Sequence, residues 1–239
     1  MIKTEPRSSS VCARTATLLL SAVMAAGCAA SQSDVPSTAR GSAQARSSSA
    51  PPPGVKTVDA PVYKEGDVWV DSVRGQEREF RIQHKRDDGG FDVSFWGTQM
   101  TTDGRLNILI YRSLTSDGSS SSKSNIAIPW FAYPLYAGKQ WDETFKWQTQ
   151  DAMPVVGTSS VKGKAIRWEE VTVPAGTFTA LRVEVSIRSF GRGGAVDFMT
   201  MTYWHVPDVR RFVKFDFHSQ WEGTLQADLI AYKPAAGSR

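Results

Sequence analysis

The chain has 239 residues, with 28 Lys and Arg against 24 Asp and Glu, a net charge of +4, and 41% hydrophobic residues. That balance is ordinary for a globular protein with room for one good core, and it excludes a low-complexity or strongly polyionic chain. Only two cysteines occur, Cys12 and Cys28, so nothing beyond residue 28 can build a disulfide, a zinc–thiolate site or a cysteine nucleophile.

Residues 1–27 read as a secretory leader. Lys3, Arg7 and Arg14 give it a positive start, and Ala16 to Ala26 is a short apolar run that ends Ala25-Ala26-Gly27-Cys28. Such a run is too short to span a bilayer but suits the apolar part of a signal peptide. Small residues followed directly by Cys resemble a bacterial lipobox, with Ala25 where Leu is usual. The resemblance implies cleavage before Cys28 and lipidation of its thiol; cleavage a residue or two further on, without lipid, is the alternative. Ala29 in place of Asp implies sorting to the outer membrane, with the domain facing the periplasm. A multiply acylated Cys is a firm anchor, since each buried methylene adds about 0.8 kcal/mol. Loss of the leader removes three cations and one anion and leaves 25 basic against 23 acidic residues, a net of +2, which is no argument for a nucleic-acid partner.

Residues 28–60 carry the Cys and then Ser, Ala, Gln, Pro and Gly with few charges and no aromatic side chain. They read as a disordered tether with a reach of roughly 30 Å. A β domain is expected over 61–234 and a short tail over 235–239.

From Pro61 the apolar period is two. Phe80, Ile82 and His84 alternate with Glu79, Arg81 and Gln83, Asp87-Asp88-Gly89-Gly90 turns, and Phe91, Val93 and Phe95 alternate back, which predicts a hairpin. Asp103-Gly104 turns into Leu106, Ile108 and Ile110, and the Ser-rich piece from Ser113 to Asn125 reads as a long exposed loop. Val173-Pro174-Ala175-Gly176 is a tight turn in which Pro presets φ and Gly takes the positive φ. Leu181, Val183, Val185 and Ile187 then alternate strictly with polar residues. Gly191 to Gly194 and Val206-Pro207-Asp208 turn the chain into Met199, Met201 and Tyr203 and into Val213, Phe215 and Phe217. Leu225, Ala227 and Leu229 close the domain. No segment shows a helical stripe, so the fold class is all-β: one antiparallel domain of about 10–12 strands, a sandwich or a curled, barrel-like sheet.

One device occurs twice. Pro61-Val62-Tyr63-Lys64-Glu65-Gly66-Asp67-Val68-Trp69 and Pro134-Leu135-Tyr136-Ala137-Gly138-Lys139-Gln140-Trp141 both place a Gly bend three residues before a Trp. If the halves of the sheet are related, Trp69 and Trp141 should occupy equivalent places against one core.

The combination of Pro134 to Trp141, Val171-Thr-Val-Pro-Ala-Gly-Thr-Phe178, Tyr203-Trp204 with Pro207 and Val209, and the terminal Ile230-Ala231-Tyr232 resembles a family of uncharacterised β-rich bacterial envelope proteins. That family commonly carries Gly after the last Val, where this chain has Arg210 and Arg211. The resemblance implies a fold and a compartment; it supplies no catalytic residue.

Chemistry-bearing patterns are sparse. His84 and His218 fall on opposite strand faces by alternation, which argues against a metal site. The phosphate-loop and Gly-x-Ser-x-Gly spacings do not occur, and adjacent carboxylates point to opposite faces. The cations Arg74, Arg78, Arg81, Lys85 and Arg86 are interspersed with Glu77, Glu79, Asp87 and Asp88, as on a solvated sheet face. Eight Trp remain, and Trp69, Trp96, Trp141 and Trp204 are the candidate aromatic binding surface. No cofactor, metal ligand or catalytic residue is assigned. The reading is a non-catalytic, lipid-anchored envelope domain that binds an apolar ligand or an envelope partner; a hydrolase of envelope glycan or lipid, and a purely structural role, are the alternatives.

Overall fold

A computed structural model describes residues 50–115, 118–150, 154–191, 196–220 and 223–235. The leader, Cys28, most of the expected tether and the Gly191 to Gly194 turn apart from Gly191 lie outside the described residues. Among the described residues fourteen strands occur: β1 (Thr57–Val58), β2 (Val68–Val73), β3 (Gln76–Lys85), β4 (Phe91–Phe95), β5 (Thr98–Thr102), β6 (Ile108–Thr115), β7 (Gly118–Ile128), β8 (Leu135–Tyr136), β9 (Gln140–Thr149), β10 (Val156–Val173), β11 (Gly176–Phe190), β12 (Val196–Val206), β13 (Arg211–Ser219) and β14 (Gly223–Lys233). No helix occurs among the described residues. β1 pairs with β8, and the other twelve strands run up and down in chain order and close as β14 pairs with β2. Closure leaves the twelve-stranded barrel itself without a free edge; only the small β1–β8 sheet keeps one among the described residues.

Alternation decides the faces. Leu181, Val183, Val185 and Ile187 are buried inside, and Arg182, Glu184, Ser186 and Arg188 face out. Charged residues outside and apolar residues inside reverse the pattern of a membrane-spanning barrel. The interior is filled by the protein's own side chains, among them Trp69, Phe80, Trp141, Phe145, Tyr203, Phe212 and Phe215. Two inward glycines make room for indoles. A Cβ on Gly163 would lie 2.0 Å from the Trp141 ring, and one on Gly157 would lie 2.2 Å from that of Trp147.

The expected hairpin forms, with Phe80 opposite Phe95 and Ile82 opposite Val93. A bulge after Ile82 then turns His84 outward, so His84 does not share the face of Phe80 and Ile82. Among the described residues the Ser-rich stretch is strand rather than loop: β6 carries its start and β7 the rest, paired with each other and β7 briefly with β9. Serine is a poor strand signal by composition, and here the ladder on either side overrides it. Thr57 and Val58, expected within the tether, instead form β1, and Val58 is buried.

The repeated device is one backbone motif built twice. Gly66 and Gly138 have φ of 89° and 91°, which favours glycine. Gly66 N–H donates to Ile82 O and Ile82 N–H to Asp67 O, as Gly138 N–H donates to Ala165 O and Ala165 N–H to Lys139 O. Asp67 N–H bonds Lys64 O, and Lys139 N–H bonds Tyr136 O. Each Trp indole then donates 2.8 Å to a loop carbonyl, Trp69 to Val209 and Trp141 to Pro129. Counted from the glycine, Tyr63 matches Leu135 rather than Tyr136, and both are buried.

At one end of the barrel lie the turns between β2 and β3 and between β4 and β5. The opposite end is capped by the residue 50–66 segment, the 129–139 loop and the tip of the long β10–β11 hairpin. That tip bends over far enough for Ala175 N–H to bond Leu229 O at a bulge in β14. The Val173 to Gly176 turn is therefore part of the cap.

Substituting Gly163→Ala is expected to destabilise the fold by about 1–3 kcal/mol through overpacking against Trp141. Gly75→Ala, where φ is 74° and nothing lies near the new Cβ, pays only the left-handed backbone cost of roughly 1–2 kcal/mol. Urea unfolding midpoints of the two variants, with the indole environment followed by near-UV circular dichroism, separate these causes. Near-UV change is expected only for Gly163→Ala.

Candidate functional site

The four candidate tryptophans do not meet. Trp69 and Trp141 are buried structural residues. Trp96 sits in the β4–β5 turn with φ 53°, stacks on Phe95 at 4.2 Å, and donates 2.7 Å to Asp71 Oδ2. Trp204 lies on the outer face, where it donates 2.7 Å to Glu169 Oε1 between Arg182 and Lys214. That hydrogen bond, ahead of the nearby Arg167, holds the Glu169 carboxyl below its usual range. Alternation fixes the side of each Trp, but closure of the sheet turns the inward ones into filling.

The strongest buried electrostatic feature is a residue pair that has no local motif. Arg211 on β13 donates to both oxygens of Asp71 on β2, at 3.2 and 2.9 Å, and each side chain is at most 2% exposed. The guanidinium lies 3.9 Å from the Phe212 ring centre and 4.6 Å from that of Phe80. Asp71 therefore satisfies Arg211 and Trp96 together. Next to this pair, Arg210 takes φ 61°, a left-handed conformation that favours glycine. It donates to Val62 O, Asp67 Oδ1 and the Tyr232 hydroxyl, while Tyr63 OH donates to Arg210 O.

The cap end holds a buried phenol and imidazole cluster. Tyr133 OH and His205 Nε2 are 2.7 Å apart, and Tyr203 OH donates 2.6 Å to Trp130 O. Burial pushes the Tyr63, Tyr133 and Tyr203 hydroxyls well above their usual range and lowers His205 to about 3. His205 is thus neutral at physiological pH. Lys139 is nearly buried and donates to the carbonyls of Ala132 and Pro134; burial, and then Arg105, lower its pKa. His84 contacts Glu65 and His218 contacts Thr224, both on the outside. The inward serines form a chain, Trp147 Nε1 to Ser159 Oγ to Ser189 Oγ, and no imidazole touches it.

Open space lies on the outer face of β9–β12. A trough with room for about 560 Å³ runs across these strands between two polar rows, Gln140, Lys164, Glu184 and Thr202 on one side and Asp142, Lys162, Ser186 and Thr200 on the other. Its floor is the backbone of the buried row Trp141, Gly163, Val185 and Met201. One step further from the cap, Arg188 and Phe198 are cross-strand neighbours, followed by Phe190 and Val156. Phe198, Phe190 and Val156 are 42%, 44% and 56% exposed, and Arg188 approaches the Phe190 ring. A polar trough beside an exposed apolar strip can hold a macromolecular surface; it presents no assembled acid–base or nucleophilic group. Sequence reading missed it because each residue is an unremarkable outward strand position.

The fold and these sites define a closed up-and-down β-barrel with a filled core and a mixed outer face. No protein-family model matches the chain, and no curated protein matches it. Among solved structures it is similar to the hypothetical lipoprotein YmcC from Escherichia coli, with a TM-score of 0.46, 11% identity, and coverage of 71% of this chain and 86% of that one. It is also similar to a candidate lipoprotein from Parabacteroides distasonis (TM-score 0.42, 14% identity, 74% and 100% covered) and to a candidate exported protein with a YmcC-like fold from Bacteroides fragilis (0.38, 12%, 74% and 100%).

Because His205 binds its proton far more weakly folded than unfolded, the unfolded chain takes up that proton first as pH falls. His205 therefore contributes stability above about pH 6.5 that is lost progressively toward about pH 3, at a slope of roughly 1.4 kcal/mol per pH unit. His205→Gln keeps a hydrogen-bonding group for Tyr133. It is expected to flatten the loss of urea-unfolding stability between pH 7 and pH 5, about 2 kcal/mol in the native sequence.

Proposed function

We propose that the chain is a lipid-anchored cell-envelope protein, held at the outer membrane through Cys28 and facing the periplasm. Its barrel serves as a rigid, non-catalytic platform that binds a second envelope component on the outer face of β9–β12. The anchor rests on the Ala25-Ala26-Gly27-Cys28 sequence. The choice of an outer-face partner over an apolar ligand inside rests on one observation: the interior is occupied by the protein's own Trp, Phe and Tyr side chains, while the open trough and the exposed Phe190, Phe198 and Val156 lie together on the outer surface. Interface anchors are typically aromatic residues beside polar groups, and Phe190 and Phe198 fit that role.

A photo-crosslinking residue placed at Ser186 or Thr202 in the membrane-anchored protein is expected to capture a discrete partner in the native envelope, and one at Arg78 on β3 is not. Replacing Phe190 and Phe198 together by Ala should weaken capture by about 2 kcal/mol, the size of an interface anchor. Absence of any adduct, or the same adducts from all three positions, contradicts the proposal.

A further inference from the structure

The segment from Ala50 to Pro61 is held to the barrel by little. Within it only Val58 is buried. Thr57 and Val58 pair with Tyr136 and Leu135, a two-residue ladder that forms its own small sheet outside the barrel. Lys56 adds its ammonium 3.8 Å from the Trp168 ring centre. From Val62 onward the attachment changes character, with Val62 O accepting from Arg210, Tyr63 bonded to Arg210 O and Asp67 paired with Arg210. Residues 56–58 are thus a strap laid on a site, and the barrel's own hydrogen-bonded ladder does not include them.

The strap fits that site incompletely. Trp168 Nε1 is buried and has no hydrogen-bond partner among the described residues. A buried donor without an acceptor costs more than a bond exchanged with water. An extended peptide with a basic residue two positions before a β-branched one could repeat every strap contact: the cation on the Trp168 face, the ladder on β8, and the apolar side chain in the place of Val58. A polar side chain of that peptide reaching Trp168 Nε1 would add a bond that the strap does not make. Addition of an extended peptide to a short strand in this way draws affinity from the backbone and specificity from alternate side chains.

We propose that the β8 edge and the Trp168 face form a docking site for an extended peptide segment of a partner protein, occupied in cis by Lys56 to Val58 until such a segment displaces it. The site is at the capped end and is independent of the β9–β12 trough.

Since no cysteine follows Cys28, the chain from residue 28 with Cys28→Ser and Val55→Cys takes a single bimane label next to Lys56, the residue whose ammonium lies on the Trp168 ring; an indole quenches bimane on contact. Quenching is expected in this protein and is lost in Trp168→Phe. It is also lost in Val58→Asp, with Lys56→Ala as a milder variant should Val58→Asp perturb the far-UV spectrum. A free peptide of residues 52–60 at millimolar concentration should relieve the quenching saturably, and the same peptide with Asp at position 58 should not. Absence of quenching in the parent, or quenching that neither the peptide nor the strap variants relieve, overturns the proposal.

Discussion

The barrel depends on closing its first strand against its last, and the Arg211–Asp71 ion pair stands at that closure. β14 lies between β13 and β2, so a bond from Arg211 to Asp71 ties strands on both sides of the join. Two charges taken out of water are costly, and the pair is tolerated because the guanidinium also rests on Phe212 and Phe80 while the carboxylate accepts from Trp96. Loss of one partner would leave the other charge uncompensated, an effect of about 3–5 kcal/mol in comparable sites. Arg210 works on the same join from outside. It accepts a left-handed backbone in exchange for bonds to Asp67, Val62 O and Tyr232.

A closed and filled barrel constrains function as much as stability. Twelve strands are enough to enclose a ligand in other barrels. Here glycines at 157 and 163 admit Trp147 and Trp141 into the interior, and the bent β10–β11 hairpin covers one end. What remains for recognition is the outside: the mixed face of β9–β12 and the cap, where the strap lies. Under the proposed function, the barrel is a rigid body whose surfaces, rather than its lumen, carry specificity.

The all-β class, the Phe80–Phe95 hairpin, the Pro174-Ala175 turn and the inward set on β11 were legible because period-two alternation and turn chemistry are local. The repeated Gly-x-x-Trp device was legible too, although the match of Tyr63 with Leu135 emerged only from the hydrogen bonds. Three things were hidden for physical reasons. A single bulge reverses every later side chain, which misplaced His84. Serine-rich sequence looks like loop unless the neighbouring strands are known, which concealed β7. Closure itself is non-local: nothing in Asp71 or Arg211, 140 positions apart, announces their pairing, although a charged residue at an inward position two after Trp69 is the clue that was present. The four tryptophans failed as one surface for the same reason, because alternation gives a side and cannot say whether that side is lumen, core or solvent.

Closure of the sheet is the claim on which the rest stands, and native-state hydrogen exchange measures it directly. Amides in the β14–β2 ladder, at Asp71 and Ala227 through Leu229, are predicted to exchange only through global unfolding, as slowly as those of the central β11. Exchange at the rate of a frayed edge, with β11 still protected, would mean that the barrel is open at this join and would contradict the account.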